Sequence, residues 1–297
     1  MQRVIRFKRY AYALFLIPLV LPPAGLMLGA HYAVPDWGAW LTVLVVFGLV
    51  PLLDTCLGRD TANPGPDEER ALLADPWYPA LTLLAVPAWS ALLVWGVWAV
   101  IQATLGLAGR VGLLASLAAV GGAVAINVGH ELIHKTRRAE RAGGGWLLAS
   151  VGYGGFKIEH IRGHHVDVAT PRDTSTARLG ENVYRFLWRA FTTNPVRAWE
   201  LERARLSRRN LPWWRNELLL WWGLSLAWAV GFALWLGAPG LVAYLGIGFG
   251  AIALLEIVNY LEHYGLIRTP LPNGRYGPVR LRCGECGHDK LLAFSCK

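Results

Sequence analysis

The sequence predicts an all-α, polytopic membrane protein, with six transmembrane helices and a cytoplasmic, histidine-rich helical cap. Three observations lead there. Of 297 residues, 54% are hydrophobic and only 16% charged, against about 25% charged in an average soluble domain. The apolar residues gather into runs long enough to cross a bilayer, which takes about 20 residues. Finally, 28 of the 29 Lys and Arg fall in segments that six spans would place on one side.

The runs follow in order. Ala11–Ala30 has no charge, and Trp37–Leu57 has only Asp54. Pro79–Gln102, Val111–Gly129 and Leu218–Gly237 have none. Gly240–Glu262 carries two acids, Glu256 and Glu262. The first run does not read as a signal peptide, because it lacks a small-residue cleavage site and five more runs follow. Connectors 31–36, 103–110 and 237–239 are short, whereas 58–78, 130–217 and the tail after 263 are long and polar. Sixteen Lys and Arg lie in connector 130–217, and only Arg110 falls on the opposite side. The positive-inside rule then puts both termini in the cytoplasm of a multi-pass inner-membrane protein. Trp37, Trp40, Trp77, Trp213 and Trp214 sit at run ends, where an aromatic belt belongs.

A net charge of +9 would ordinarily raise nucleic acid as a partner. Here the lipid bilayer explains the charge, and no nucleic-acid partner is expected. Cysteines at 56, 283, 286 and 296 are too few and too uneven for a disulfide framework.

Six of the eight histidines are grouped at cytoplasmic run ends. His130 and His134 continue the fourth run in Asn127-Val128-Gly129-His130-Glu131-Leu132-Ile133-His134. Residues four apart share a helical face, so two imidazoles there can hold one metal. Glu159-His160-Ile161-Arg162-Gly163-His164-His165 repeats that spacing with His160 and His164. His165 then points elsewhere, so the adjacent pair can serve two metals. His263 ends the sixth run. An isolated imidazole more often caps or packs than ligates, and His31 and His288 are read that way. Six grouped ones point to metal, and imidazole suits Zn, Fe, Cu and Ni. His-Glu-x-x-His also matches an intramembrane zinc metalloprotease, with Glu131 as general base. Such a protease needs about three protein ligands. The surplus of histidines argues for two metals and against it.

At these residues the sequence resembles the alkane 1-monooxygenase family, the integral-membrane alkane hydroxylases. The likeness runs through both histidine boxes into Val168-Ala169-Thr170-Pro171-Arg172-Asp173, Ala177-Arg178-Leu179-Gly180-Glu181 and Tyr184-Arg185-Phe186. It includes Asn259-Tyr260-Leu261-Glu262-His263-Tyr264-Gly265-Leu266. It also includes Pro51-Leu52-Leu53-Asp54, with Gly58, Asp60, Asn63 and Pro64. Xylene monooxygenase and the membrane fatty acid desaturases are relatives with similar boxes. The resemblance implies two non-haem iron ions held by His130, His134, His160, His164, His165 and His263. It implies O2-dependent hydroxylation of the terminal methyl of medium-chain n-alkanes, with rubredoxin as electron donor. Glu131, Glu159, Asp167, Asp173, Glu256 and Glu262 are candidate partners for the ligand imidazoles. Glu256 stands out, because an acid two turns inside an apolar run is costly and usually functional.

The likeness fades after Arg275-Tyr276. Residues 1–276 are expected to form the hydroxylase-like domain and 277–297 a divergent tail, truncated or frameshifted. The family's third box, roughly Arg-His-Ser-Asp-His-His, has no counterpart here, so iron occupancy and activity are expected to suffer. Cys283, Cys286, His288 and Cys296 could formally make a zinc knuckle, although Cys-x-x-Cys alone is a weak signal. Three other readings stay open: a xylene, alkyl-group or fatty acid hydroxylase, the zinc protease, and a non-catalytic remnant.

Overall fold

A computed structural model describes residues 2–58, 65–272, 274–281 and 290–291. Most of them are helical. Among them, four helices are long and apolar enough to cross a membrane: Phe7–His31, Glu68–Gln102, Leu107–Ile133 and Glu217–His263. We label the helices α1 (Phe7–His31), α2 (Leu41–Leu57), α3 (Trp77–Gln102), α4 (Leu107–Ile133), α5 (Arg138–Ser150), α6 (Val183–Arg208) and α7 (Glu217–His263).

The second apolar run departs from expectation. It forms Pro35–Gly38, then Leu41–Leu44, a π turn at Val45–Leu49, and Val50–Leu57. Pro51 has no N–H to return to the carbonyl four residues back. The ladder widens just before it, and the resulting α2 is short. The fifth and sixth runs share α7, which Gly237 interrupts at φ 69°, ψ −162°. That combination is open essentially to glycine alone. The chain folds back there. The Tyr244 hydroxyl donates to the Ser225 carbonyl at 3.4 Å, and its ring lies 5.3 Å from that of Phe232. In an unbroken helix residues 225 and 244 would stand about 28 Å apart.

The residues form two compact units, Met1–Tyr153 with Leu224–Ala251, and Gly154–Gly223 with Ile252–Lys297. In the first, Trp89, Leu93, Leu113, Leu117, Leu147 and Leu148 are fully buried. Within this apolar interior one pair of polar side chains is satisfied internally, as a bilayer favours. Trp89 Nε1 donates to Ser150 Oγ at 2.8 Å, and that hydroxyl donates to the Leu147 carbonyl at 2.6 Å. Small residues let backbones approach: a Cβ on Gly29 would meet the Gly38 Cα at 3.0 Å. Trp40 and Trp77 are tied into this packing through Ala108 and Arg9 carbonyls, at 3.1 and 2.8 Å. Arg110, the lone basic residue of its connector, donates to the Val100 carbonyl at 2.8 Å and to those of Ile101 and Leu105. It thereby satisfies orphan carbonyls near the end of α3.

The second unit contains the helical stretch 156–167, α6 and the end of α7. The Asn182 side chain caps α6 by accepting from the Arg185 N–H at 2.9 Å. Phe186 and Ala190 are buried with Ala177 against Tyr260 and Tyr264. Tyr260 Oη donates to the Glu181 carbonyl at 2.7 Å, and Arg189 holds the Glu181 carboxylate at 2.7 Å.

Beyond α7 the all-α expectation fails. Leu266–Pro270 (β1), Tyr276–Leu281 (β2) and Lys290–Leu291 (β3) form an antiparallel sheet in the order β1-β2-β3. Leu266 pairs with Leu281 and Ile267 with Arg280, with a bulge between Arg268 and Pro270. Gly274, at φ 75°, supplies the turn. The strands are short and proline-interrupted, so their alternation is weak in the sequence. Cys283, Cys286, His288 and Cys296 lie outside the described residues, as do Asp60, Asn63 and Pro64.

Candidate metal centre

His130 and His134 close the C-terminal turn of α4 in the first unit. Their rings lie 5.0 Å apart at 80°, on one face as four-residue spacing requires. Desolvation outweighs the charge of Glu131 and pushes His134 below its ordinary pKa, toward the neutral form that binds metal. Glu131 is engaged by Lys135 at 2.5 Å.

The second unit brings His160, His164, His165 and His263 together. The backbone here departs from the α-helical spacing expected of the sequence. His160–His164 is a π turn, not an α turn. Its wider ladder swings His165 back onto His160, and the two Nε2 atoms lie 2.9 Å apart. His165 therefore faces its neighbour instead of pointing elsewhere. His164 stacks at 5.3 Å on His160 and meets His263 edge-on at 4.8 Å. Phe156 stacks on the other side of His160 at 4.6 Å.

Two imidazoles have their Nδ1 positions fixed. His164 Nδ1 lies 2.9 Å from Asp173 Oδ2, and His263 Nδ1 lies 2.9 Å from the Asn259 carbonyl oxygen. With Nδ1–H donated, each ring presents Nε2 as its metal-binding nitrogen, the arrangement typical of ligating histidines. Asp173 is itself fixed by the Thr176 hydroxyl at 2.5 Å and the Ser175 N–H at 3.1 Å. Burial disfavours charge on both partners, but their hydrogen bond outweighs it. Asp173 is held below the ordinary carboxylate range and His164 above the ordinary imidazole value.

The other acids fall elsewhere. Asp167 pairs with Arg197. Glu256 is buried and accepts from the Asn194 and Asn259 amides, both at 3.3 Å. Glu262 is exposed. Glu159 is buried, and neither oxygen accepts a hydrogen bond among the described residues. Its nearest cation is Arg197 Nε at 3.7 Å. Burial, reinforced by Asp173 and Glu256, pushes its carboxyl up to about 7.

This donor set fits a cation. The 2.9 Å separation of the His160 and His165 nitrogens is compatible with two imidazoles side by side on one ion, with bonds of about 2.0–2.1 Å. The orphaned Glu159 carboxylate, near enough to His164 and Asp173 to feel their charges, is a buried group that a cation in this region would help to satisfy. Sequence reasoning missed Asn259, Phe156 and Arg197. Only Asn259 left a signal, lying four residues before His263 on the same helix.

Comparison with known proteins decides the family. The model for the fatty acid desaturase family matches residues 108–284. Alkane 1-monooxygenase 1 of Pseudomonas aeruginosa is 47% identical over 278 residues, covering 92% of this chain and 72% of the relative. The chain belongs to the alkane 1-monooxygenase family. Alkane 1-monooxygenase 2 of Alcanivorax borkumensis is 39% identical over 283 residues, covering 93% of this chain and 73% of that protein. The xylene/toluene monooxygenase hydroxylase component of Pseudomonas putida is 32% identical, but across only 53% of this chain. As a member of the alkane 1-monooxygenase family, the chain is an oxidoreductase of the membrane, and its apolar helices accord with that.

Proposed function

We propose that this chain is a membrane-bound non-haem diiron monooxygenase. It hydroxylates the terminal methyl of medium-chain n-alkanes to 1-alkanols, using O2 and electrons from rubredoxin. The observation that carries this reading is the pairing of His164 with Asp173 and of His263 with the Asn259 carbonyl. Both imidazoles are thereby oriented for a metal inside a chain whose relatives are named alkane 1-monooxygenases.

We assign His130, His134, His160, His164, His165 and His263 as ligands of two irons. Imidazoles of His130, His134, His160 and His165 are suited to metal. Bound iron supplies the O2 activation needed to break an unactivated C–H bond, which acid–base side chains cannot do. The protein's part is to hold and orient. Asp173 keeps the His164 tautomer, Phe156 shields one face of His160, and the apolar helices keep the alkane out of water. Six spans with both termini in the cytoplasm, in the inner membrane, are inferred from the basic residues. The histidine-rich helices then form a cap at the cytoplasmic face.

The test uses membranes from a host without alkane hydroxylase, supplied with rubredoxin and its reductase. Octane should yield 1-octanol only with O2, and His164→Ala should abolish the product. Iron-loaded protein that makes no alcohol from any alkane would overturn the reading.

A further inference from the structure

A second set of side chains, all in the second unit, surrounds a cavity that the metal centre does not use. The cavity, of about 660 Å3, is lined by Arg162, Arg205, Arg208, Arg209 and Arg215, with Leu211 and Glu217. The arginines divide into two kinds. Arg162 and Arg205 are spent on carboxylates. Arg162 pairs with Glu202 and, at 3.2 Å, with Glu217, while Arg205 Nη2 meets Glu202 at 2.5 Å. Arg208, Arg209 and Arg215 are exposed and form no ion pair among the described residues. A concave, arginine-lined surface with three uncompensated guanidiniums is matched to an oxyanion that accepts forked hydrogen bonds, such as a phosphate.

Its surroundings identify what carries the phosphate. Arg215 directly follows Trp213 and Trp214, which are 71% and 64% exposed. Two residues after Arg215 the apolar α7 begins. Exposed tryptophans beside basic residues at the start of an apolar helix mark the level of lipid headgroups. Leu211, also exposed, adds an apolar contact on the cavity wall. An acidic protein would need no tryptophan pair at that level.

We propose that this cavity binds the headgroup phosphate of an anionic phospholipid. Arg208, Arg209 and Arg215 hold the phosphate, and Trp213 and Trp214 lie among the glycerol and upper acyl segments. Arg162 and Arg205, locked by Glu202, form the rigid floor. The proposal does not depend on the chemistry of the metal centre.

The experiment measures lipid binding to the purified full chain in detergent, by native mass spectrometry and by titration of tryptophan fluorescence. The probes are phosphatidylglycerol, phosphatidylcholine and inorganic phosphate. One saturable phosphatidylglycerol per chain is expected, bound well above phosphatidylcholine. R208Q/R209Q/R215Q should weaken it roughly a hundredfold, since each basic residue near a lipid surface contributes about fivefold. The corresponding triple lysine variant should retain most of the affinity. R138Q/R185Q/R203Q removes the same charge from exposed sites outside the cavity and should change nothing. Equal binding of both lipids, or equal loss in the two glutamine variants, would overturn the site. Displacement of phosphatidylglycerol by millimolar inorganic phosphate would make it a free-phosphate site instead. A soluble acidic protein binding through these arginines, with no lipid preference, would make it a protein dock and equally overturn the proposal.

Discussion

His160 and His165 meet nitrogen to nitrogen at 2.9 Å because the helix between them is wound as a π turn. Such widened turns cost helical regularity and are common at functional sites. This one aims two imidazoles at one point from residues that an ordinary α turn would set on different faces. If the point is a metal position, His165→Ala should lower iron affinity by more than about tenfold, the lower range seen even for residues that only support ligands. His31→Ala is the control, because His31 packs on Tyr32 at 4.7 Å at the end of α1. Iron per chain after dialysis against a chelator reads both variants. Equal retention would remove His165 from the centre.

Asp173 tests orientation as opposed to ligation. Asp173→Asn keeps the side chain's size, but its single amide oxygen can serve either the Ser175 N–H or the side facing Thr176 and His164, and it loses the charge that favours the His164 hydrogen bond. Iron affinity should fall about 10–100-fold while the fold survives. Chelator competition measures the first and circular dichroism the second. Unchanged affinity would reduce the contact to packing.

These two residues also mark how far the sequence could be read. The apolar runs and the distribution of Lys and Arg were legible because each is a property of composition along a segment. Gly237 was legible as part of a short connector, and the fold-back at Tyr244 and Ser225 accords with that. The His130–His134 face followed from helical period alone. The His160–His165 contact did not, because spacing cannot tell an α turn from a π turn; the backbone ladder decides. Asp173 stood among six acidic candidates of which Glu256 was the most prominent, and only the loop between it and His164 selects it. The broken second run was readable in principle from Pro51, but its apolar composition masked the break.

Glu202 is the polar anchor of the second unit. It is fully buried and accepts from Arg162, from Arg205 at 2.5 Å and from the Glu217 N–H at 2.8 Å. Burial alone would raise its pKa, but the hydrogen bonds from Arg205 and Glu217, with the charge of Arg162, hold it below the ordinary value of 4.5. The fold therefore prefers the ionised form. That contribution is complete above the unfolded value, near pH 4.5, and is lost as pH falls through the lower folded value. Glu202→Gln leaves Arg205 without its carboxylate and Arg162 with Glu217 alone; because both guanidiniums are partly exposed, it should cost about 1–3 kcal/mol at neutral pH. Thermal unfolding in detergent from pH 7 to pH 3 should show a steeper acid loss for the parent than for the variant. Parallel curves would mean that Glu202 does not drive acid sensitivity.

Gly237 joins the two arms of α7 in a backbone conformation that side chains scarcely adopt. A Cβ there has room, since the nearest atom would be the Pro239 Cδ at 3.7 Å. Any penalty is therefore conformational and not steric crowding. Gly237→Ala should destabilise by about 1–3 kcal/mol. The loss should be concentrated where the arms meet, at the Tyr244 contact with Ser225 and Phe232. Increased quenching of Tyr244-proximal tryptophans Trp228 and Trp235 by acrylamide would report arms that have parted, as Phe232 stacks on both, at 5.8 and 6.5 Å. The dependence on backbone conformation has its own control in Gly231→Ala, in mid-arm, where a Cβ meets nothing within 4 Å and helical dihedrals suit alanine. That variant should be neutral or slightly stabilising, because alanine is the better helix former by about 1 kcal/mol. Equal unfolding temperatures for the two variants would show that the turn tolerates a side chain and that the fold-back is held by its arms alone.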